Sequence, residues 1–222
     1  MGLLVDILTP MFTLRLQRQL PRFSASKLPE RFGLFVIIVL GESVVGTVQG
    51  LAAQETVTLF TALTGILGLA LAFGIWWIYF DFINRRSPKP QTVWAFAWGY
   101  LHLPLVISIA ATGAGILNVI VDPDRRLSGN VSLLIGLSVG MSLIVMGCLE
   151  LTLAAAADEP THPRLSPGLK LGAGLVACLL GSLGNGVNVI TLQLMLMALL
   201  LVQMGYALYV WFTQELAVDE EL

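Results

Sequence analysis

Residues 57–83 read VTLFTALTGILGLALAFGIWWIYFDFI, and this stretch decides the fold class of the chain. Asp81 is its only side chain that carries a full charge at neutral pH. A helix needs about 20 consecutive, mostly apolar residues to cross the hydrocarbon core of a bilayer. Residues 57–83 exceed that length, so they predict a transmembrane helix.

The composition of the whole chain extends this prediction to a membrane protein. Hydrophobic residues make up 56% of the chain and charged residues 12%, whereas soluble domains carry roughly 25% charged residues. A soluble protein this apolar could not cover its surface with polar groups, so lipid is its expected solvent. The predicted spans are residues 33–53, 57–83, 93–121, 131–156, 168–183 and 187–212.

These spans predict an all-α fold, a polytopic transmembrane helix bundle of about six spanning helices that occupies residues 33–213. We expect residues 1–32 to form a basic lead-in on the cytoplasmic side. The first fourteen of them are mostly apolar but too short to cross, and we interpret them as the remnant of a further helix. Residues 214–222 form an acidic cytoplasmic tail.

Basic residues predict how the bundle is oriented in the membrane. They concentrate on one side, as Arg15, Arg18, Arg22, Lys27 and Arg31 before the first span, Arg85, Arg86 and Lys89 after the second, and Arg164 and Lys170 after the fourth. The other side has only Arg125 and Arg126. Such an excess marks the cytoplasmic face. We therefore expect a multi-pass protein of the plasma (inner) membrane with both chain ends in the cytoplasm.

Aromatic residues near the same span ends predict an interfacial belt on the cytoplasmic side. Tryptophan and tyrosine favour this depth, because their rings are apolar and their edges carry a polar group. The residues are Trp76, Trp77, Trp94, Trp98, Trp211, Tyr79, Tyr206 and Tyr209.

Apart from Lys170, which is counted with the basic residues of the cytoplasmic side, four ionisable residues lie inside predicted spans, where a charge costs at least about 2.5–3.5 kcal/mol. They are Glu42, Asp81, His102 and Glu150. Such residues normally face the bundle interior and have a partner. Glu42 and His102 each lie about nine residues, or roughly 13 Å, from the cytoplasmic ends of their spans, so we predict that they meet if their helices are neighbours. Glu150 lies roughly 9 Å deep, and Asp81 is close to the interface.

Helical phase gives a second indication of where the acidic residues point. Glu42, Gly46 and Gly50 recur every four residues in the first span. Glu150 also lies on a face of small residues, but Leu143 interrupts that face. Small residues allow helices to approach closely in lipid. The pattern therefore places Glu42 toward other helices, and it favours an interior position for Glu150 less strongly.

Two classes of function fit these groups. The first is a transporter or channel-like protein for protons, ions or a small solute, in which Glu42 and His102 carry the charge and Asp81 and Glu150 line the cytoplasmic path. The alternative is a non-transporting membrane protein with a structural, regulatory or assembly role. In that case the Glu42–His102 pair only fixes helix packing.

Enzyme activity is not expected. The chain has two histidines, and its two cysteines, Cys148 and Cys178, lie inside apolar runs. These residues have no spacing that suits zinc, and no nucleophile–base–acid arrangement can be assembled from them. We therefore expect no catalytic residues, no metal or other cofactor, and no nucleic-acid partner.

Residues 29–43, PERFGLFVIIVLGES, resemble the signature of the bacterial low temperature requirement A (LtrA) family. Two shorter resemblances follow in order, WWIYFD at residues 76–81 and GYLHLP at residues 99–104. The resemblance implies a multi-pass inner-membrane protein whose biochemical activity is poorly defined. The signature positions that it implies are Glu30, Arg31, Glu42, Ser43, Trp77, Asp81 and His102.

Family members usually begin with further helices that include a Leu-Phe-Phe-Asp-Leu-Val-Phe type of motif, which this sequence lacks. The resemblance therefore covers the later, C-terminal portion of the family's pattern. The expected partners are the lipid bilayer and either a second copy of the chain or the missing N-terminal half as a separate chain.

Overall fold

The computed structural model describes residues 27–121, 125–154 and 162–219, and these residues form six long helices. The helices are α1 Lys27–Ala52, α2 Leu59–Tyr79, α3 Thr92–Val121, α4 Gly129–Thr152, α5 Leu165–Leu183 and α6 Val189–Asp219. A single π-helical turn, Phe80–Asn84, continues α2. All six helices are long and apolar enough to cross a membrane. The predicted all-α bundle of six spanning helices is therefore confirmed, whereas the predicted N-terminal helix remnant lies outside the described residues.

Hydrogen bonds between connecting segments show which helix ends lie together. At one end, the amide of Lys89 donates to the carbonyl of Thr152 at 3.0 Å, which joins the α2–α3 connection to the end of α4. At the opposite end, the amide of Leu127 donates to the carbonyl of Val187 at 2.9 Å, which joins the α3–α4 and α5–α6 connections. We call the first of these the basic end, because Arg85, Arg86, Lys89 and Arg164 lie there.

Helices α4 and α5 form the closest contact of the bundle, and glycines make it possible. A Cβ atom added at Gly147 of α4 would lie 3.1 Å from the carbonyl oxygen of Pro167 in α5, and one added at Gly136 would overlap the backbone of Gly181. The hydroxyl of Ser132 donates to the Gly181 carbonyl at 2.9 Å. Helix association in lipid depends on this kind of small-residue packing, because lipid supplies no hydrophobic driving force.

The remaining helices pack around this pair. Helix α3 lies against α4 and α1, and α2 lies against α6. Their contact faces are aliphatic, and they bury Leu71, Ile75, Ile109, Ile116 and Leu200 almost completely. The opposite faces expose large apolar side chains, as expected for surfaces that meet hydrocarbon.

The fold differs from the sequence-based prediction in the end of α4, in the bounds of α5 and α6, and in the aromatic belt. Helix α4 ends at Thr152 rather than at residue 156, so Glu150 lies only about 3 Å from the helix end instead of roughly 9 Å. Helix α5 begins at Leu165 rather than at residue 168, and α6 continues to Asp219, into the predicted tail. The third difference concerns the predicted aromatic belt. Trp94 and Trp211 are exposed as predicted, but Trp98 and Tyr79 are fully buried because they pack inside the bundle.

Candidate functional site

A group of charged side chains is buried between the π-helical turn, α4 and α5 at the basic end. Lys170 of α5 donates to Oε2 of Glu150 in α4 at 2.9 Å and to the hydroxyl of Ser166 at 2.9 Å. Its Nζ atom also lies 3.5 Å from the ring centroid of Phe82. An ammonium group has three N–H donors, so the carboxylate, the hydroxyl and the ring face account for all three. The side chain of Lys170 is 0% exposed and that of Glu150 is 3% exposed.

Arg86 completes this group from the segment that follows the π-helical turn. Its Nη1 atom lies 3.7 Å from Oε1 of Glu150, and its Nη2 atom donates to the carbonyl of Ala154 at 3.1 Å. Lys89 donates in the same way to the carbonyl of Leu151 at 2.8 Å. Cations are favourable near the carbonyl end of a helix, so the α2–α3 connection is fastened to the end of α4. We refer to Arg86, Glu150, Ser166 and Lys170 as the charge cluster.

The π-helical turn positions the side chains that α2 contributes. The amide of Phe80 is shared between the carbonyls of Trp76 and Trp77, where the α-helical bonding pattern ends. A π-helical turn inserts extra backbone into a helix and is frequent at functional sites. Here it leads to Phe82, whose ring covers Lys170.

Asp81, in the same turn, lies at the edge of the charge cluster. Its carboxylate is 3.9 Å from Nη1 of Arg85, with 33% of the aspartate side chain and 69% of the arginine side chain exposed. It is also close enough to attract the ammonium of Lys170 electrostatically. Exposed pairs of this kind contribute at most about 1 kcal/mol, so Asp81 adds charge to the cluster without closing it.

His102 occupies a separate buried site between α1, α2 and α3. Its Nδ1 atom is 2.8 Å from the carbonyl oxygen of Trp98. Because a carbonyl can only accept, Nδ1 carries the hydrogen, and Nε2 of the neutral ring accepts from the Tyr79 hydroxyl at 3.0 Å. The rings of Phe32 and Trp98 flank the imidazole at centroid distances of 4.6 and 4.2 Å. We call Phe32, Tyr79 and Trp98 the aromatic cage of His102.

The predicted contact between Glu42 and His102 does not form. His102 meets α1 at Phe32, which precedes Glu42 by ten residues, or about 15 Å along the helix axis. Ser43, the neighbour of Glu42, is buried toward α3 and donates to the carbonyl of Ile109 at 3.4 Å. Glu42 itself is exposed on the outer surface of α1.

The spacing argument for Glu42 failed for a geometrical reason. Positions four residues apart drift by about 40° around a helix that has 3.6 residues per turn. Gly50 is therefore about 80° away from Glu42. It is buried against Leu117 and Ile120, whereas Gly46 is partly exposed and Glu42 is exposed.

The structure thus brings Glu150 and Asp81 close to Lys170, holds His102 in a second site and leaves Glu42 apart. The remaining signature positions also differ in their exposure. Glu30 and Arg31 are exposed near the start of α1, Ser43 is buried and Trp77 is half-buried. No group of three or more histidine, cysteine, aspartate or glutamate side chains that could hold a metal ion occurs among the described residues.

The sequence-based interpretation missed Lys170, because it counted this residue with the basic residues of the cytoplasmic side, although it lies just inside the predicted fifth span. A signal for its burial was present. Lys170, Gly174, Ala177 and Gly181 follow one another at spacings of four, three and four residues, so Lys170 lies on the small-residue face of α5. That face is the one that packs on α4.

Comparison with known proteins assigns the chain to a family. Residues 1–218 match the family described as bacterial low temperature requirement A protein (LtrA). An uncharacterized protein of Rhizobium meliloti is 37% identical over 101 residues, a match that covers 40% of this chain and 23% of that relative. No solved structure matches the chain significantly. Because the family match covers nearly the whole sequence, and the described residues form six helices long and apolar enough to cross a membrane, this multi-pass membrane protein belongs to the bacterial low temperature requirement A family.

Proposed function

We propose that the chain is a membrane transporter or channel-like protein for protons, other ions or small solutes, and that the charge cluster closes its cytoplasmic end. The observation that carries this proposal is the buried contact of Lys170 with Glu150, reinforced by Arg86. It joins side chains from the α2–α3 connection, α4 and α5 at one end of the bundle. A pathway that runs between these helices would have to pass it.

The physical argument for a gate is that a buried ion pair has two distinct arrangements. While the charges are paired, the site excludes water. When they separate, each charge needs water, because an unpaired buried charge costs several kcal/mol. The glycine contacts hold α4 and α5 together, so the pair that separates would be Arg86 and Glu150, at the boundary between these two helices and the segment that follows the π-helical turn of α2.

His102 supplies a second element of the proposed path. It lies ten residues from the start of α3, about 15 Å along the helix. Histidine and tyrosine can pass protons through a hydrogen bond, and His102 and Tyr79 share one. Charged or titratable groups lie both in the charge cluster and at the depth of His102, and they favour a proton or small cation as the transported species. Glu42 does not lie on this proposed path, because it is exposed on the outer surface of α1.

The basic residues also support a proposed location. Arg85, Arg86, Lys89 and Arg164 all lie at one end of the bundle, which the positive-inside rule assigns to the cytoplasm. The protein would then lie in the plasma (inner) membrane with both chain ends inside. The absence of enzyme activity and of a cofactor stays a prediction.

Transport can be tested with purified protein in liposomes that contain a pH-sensitive dye, under imposed proton, Na⁺ or K⁺ gradients. We expect ion flux above that of protein-free liposomes. Glu150→Gln should change it about tenfold or more, because it leaves Lys170 without its carboxylate. Glu55→Gln is the matched control, since Glu55 is exposed in the α1–α2 connection. Flux that is absent in the parent protein, or equal in both variants, would overturn the proposal.

A non-transporting structural or assembly role is the second candidate, and one observation favours it. All three donors of Lys170 are satisfied, and both ring nitrogens of His102 have partners. Groups whose hydrogen-bonding atoms are all satisfied can have the fixing of helix positions as their sole role. This role predicts no flux under any gradient, together with a folded Glu150→Leu/Lys170→Met double variant, since an apolar pair often replaces a buried ion pair without loss of stability.

A further inference from the structure

Glu42 lies on the outer surface of α1, close to the middle of the membrane. The span Leu28–Ala52 is centred two residues before it, a distance of about 3 Å along the helix. Its side chain is exposed. A charge at the bilayer centre costs at least about 2.5–3.5 kcal/mol and is rarely left facing lipid. The other acidic and basic side chains of the described spans are buried or lie near span ends, so Glu42 is an exception among them.

Glu42 belongs to a regular row of exposed residues. Phe35, Ile38, Glu42, Val45 and Gln49 follow one another at spacings of three, four, three and four, and all five are exposed. This is the repeat with which one helix packs along another in a left-handed crossing. We call this row the α1 seam.

The space beside the seam is suited to a second helix. A Cβ atom added at Gly46, on the flank of the seam, would have no atom within 4 Å apart from the nearby backbone of α1 itself. Small residues of this kind let a neighbouring backbone approach closely in lipid. Two polar side chains, Glu42 and Gln49, occupy equivalent positions of the repeat. Polar residues at such positions select the register and the identity of the partner helix.

The charge of Glu42 decides which kind of partner fits. In a symmetric pair of parallel seams, equivalent positions face each other, so Glu42 of one copy would meet Glu42 of the other. Two carboxylates in hydrocarbon repel each other, whereas a basic side chain at the same depth would pair with one. We propose that the α1 seam binds a transmembrane helix that presents a lysine or arginine opposite Glu42. This proposal is independent of transport.

The experiment uses the full chain in liposomes and a synthetic probe. The probe is a leucine–alanine peptide long enough to span the bilayer, with one lysine at its centre, and the control peptide has leucine there. The protein carries Glu55→Cys for a donor dye, in a background with Cys148→Ala and Cys178→Ala, and the peptides carry an acceptor at the same membrane side. Energy transfer then reports association with α1.

We expect the lysine peptide to bind at least about threefold more tightly than the leucine peptide, which is the scale of polar helix contacts in membranes. Glu42→Leu should abolish this preference, and Glu30→Gln, the matched change of an exposed glutamate at the start of α1, should keep it. Gly46→Leu should weaken binding of the lysine peptide, because a side chain added at this open position fills the flank that the peptide would occupy.

Three results would overturn the proposal. The first is equal transfer to both peptides. The second is a lysine preference that survives Glu42→Leu. The third is transfer between donor-labelled and acceptor-labelled copies of the protein that Glu42→Leu abolishes, which would show that a second copy occupies the seam. Circular dichroism and size-exclusion profiles that match the parent protein establish that each variant is folded.

Discussion

Glu150 and Glu42 are the same residue type in spans of the same bundle, yet they meet opposite surroundings. Glu150 is enclosed between α4 and α5, with Lys170 at 2.9 Å and Arg86 at 3.7 Å. Glu42 is exposed on α1, in a row of residues that contacts no other part of the described chain extensively. A charge in a transmembrane helix can therefore serve contacts inside the chain or contacts with a molecule outside it. Only the three-dimensional packing distinguishes the two cases.

The largest expected effect comes from removing the carboxylate of the charge cluster. Glu150→Leu should lower the free energy of unfolding by about 3–5 kcal/mol, because it leaves the buried ammonium of Lys170 without its counter-charge. The measurement is reversible unfolding in mixed detergent–lipid micelles. Adding Lys170→Met should restore most of the loss. A loss below about 1 kcal/mol for Glu150→Leu would contradict the burial of this pair.

Glu42→Leu should act in the opposite direction. With no partner helix present, it removes a charge from the bilayer centre, so the insertion of α1 should become more favourable by about 3 kcal/mol. The measurement is the inserted fraction of α1 in a glycosylation-reporter assay. Glu30→Leu, close to the end of the same helix, should change insertion much less. An unchanged inserted fraction for Glu42→Leu would place this side chain outside the hydrocarbon.

Glycine substitutions compare the packing of the two helices that carry these glutamates, α4 and α1. Gly136→Ala should destabilise the protein by about 1–3 kcal/mol, because its Cβ would overlap the backbone of Gly181, which cannot yield as a side chain can. Gly46→Ala should leave the stability within about 0.5 kcal/mol of the parent or raise it, since no atom lies within 4 Å of the new methyl group. Equal losses in the two variants would show that α1 is packed as tightly as α4.

The smallest effect concerns a buried polar contact without charge. Tyr79→Phe removes the hydroxyl that donates to His102, leaving a buried acceptor unsatisfied at a cost of about 1–2 kcal/mol. Tyr209→Phe is the control, since Tyr209 is 67% exposed. Unfolding in the same micelles provides the measurement. If Tyr79→Phe changes the free energy of unfolding no more than the control does, another group donates to the imidazole.

The fold class could be predicted from the sequence because the apolar length of each span is a local property. The small residues noted on the Glu150 face of α4 also agree with its close contact to α5. The partners of the charged residues could not be obtained in this way. Whether Glu42 or Glu150 faces the bundle interior depends on the rotation of each helix about its own axis. A drift of about 40° per four residues is enough to reverse the prediction.

Lys170 and Tyr79 are the reverse case, because the sequence predicts both near the interface and the structure buries both. A lysine five residues into α5 is expected to extend toward the aqueous interface, where its charge is hydrated. It does not do so because Glu150, twenty residues earlier, occupies the facing position on α4. The place of Tyr79 near a span end predicts an interfacial position, but the ring of His102 from another helix accounts for its hydroxyl. In both cases the deciding partner is distant in sequence.

The contact between Lys170 and Glu150 has a consequence for how the chain enters the membrane. Helix α5 is the least apolar of the six spans and α4 is the most apolar. A lysine in a weakly apolar segment opposes its transfer into lipid, but an acidic residue on the preceding helix neutralises it if the two segments enter together as a helical hairpin. The insertion of α5 should therefore depend on α4 being synthesised immediately before it. Replacing α4 by a hydrophobic helix without an acidic residue should therefore lower the inserted fraction of α5.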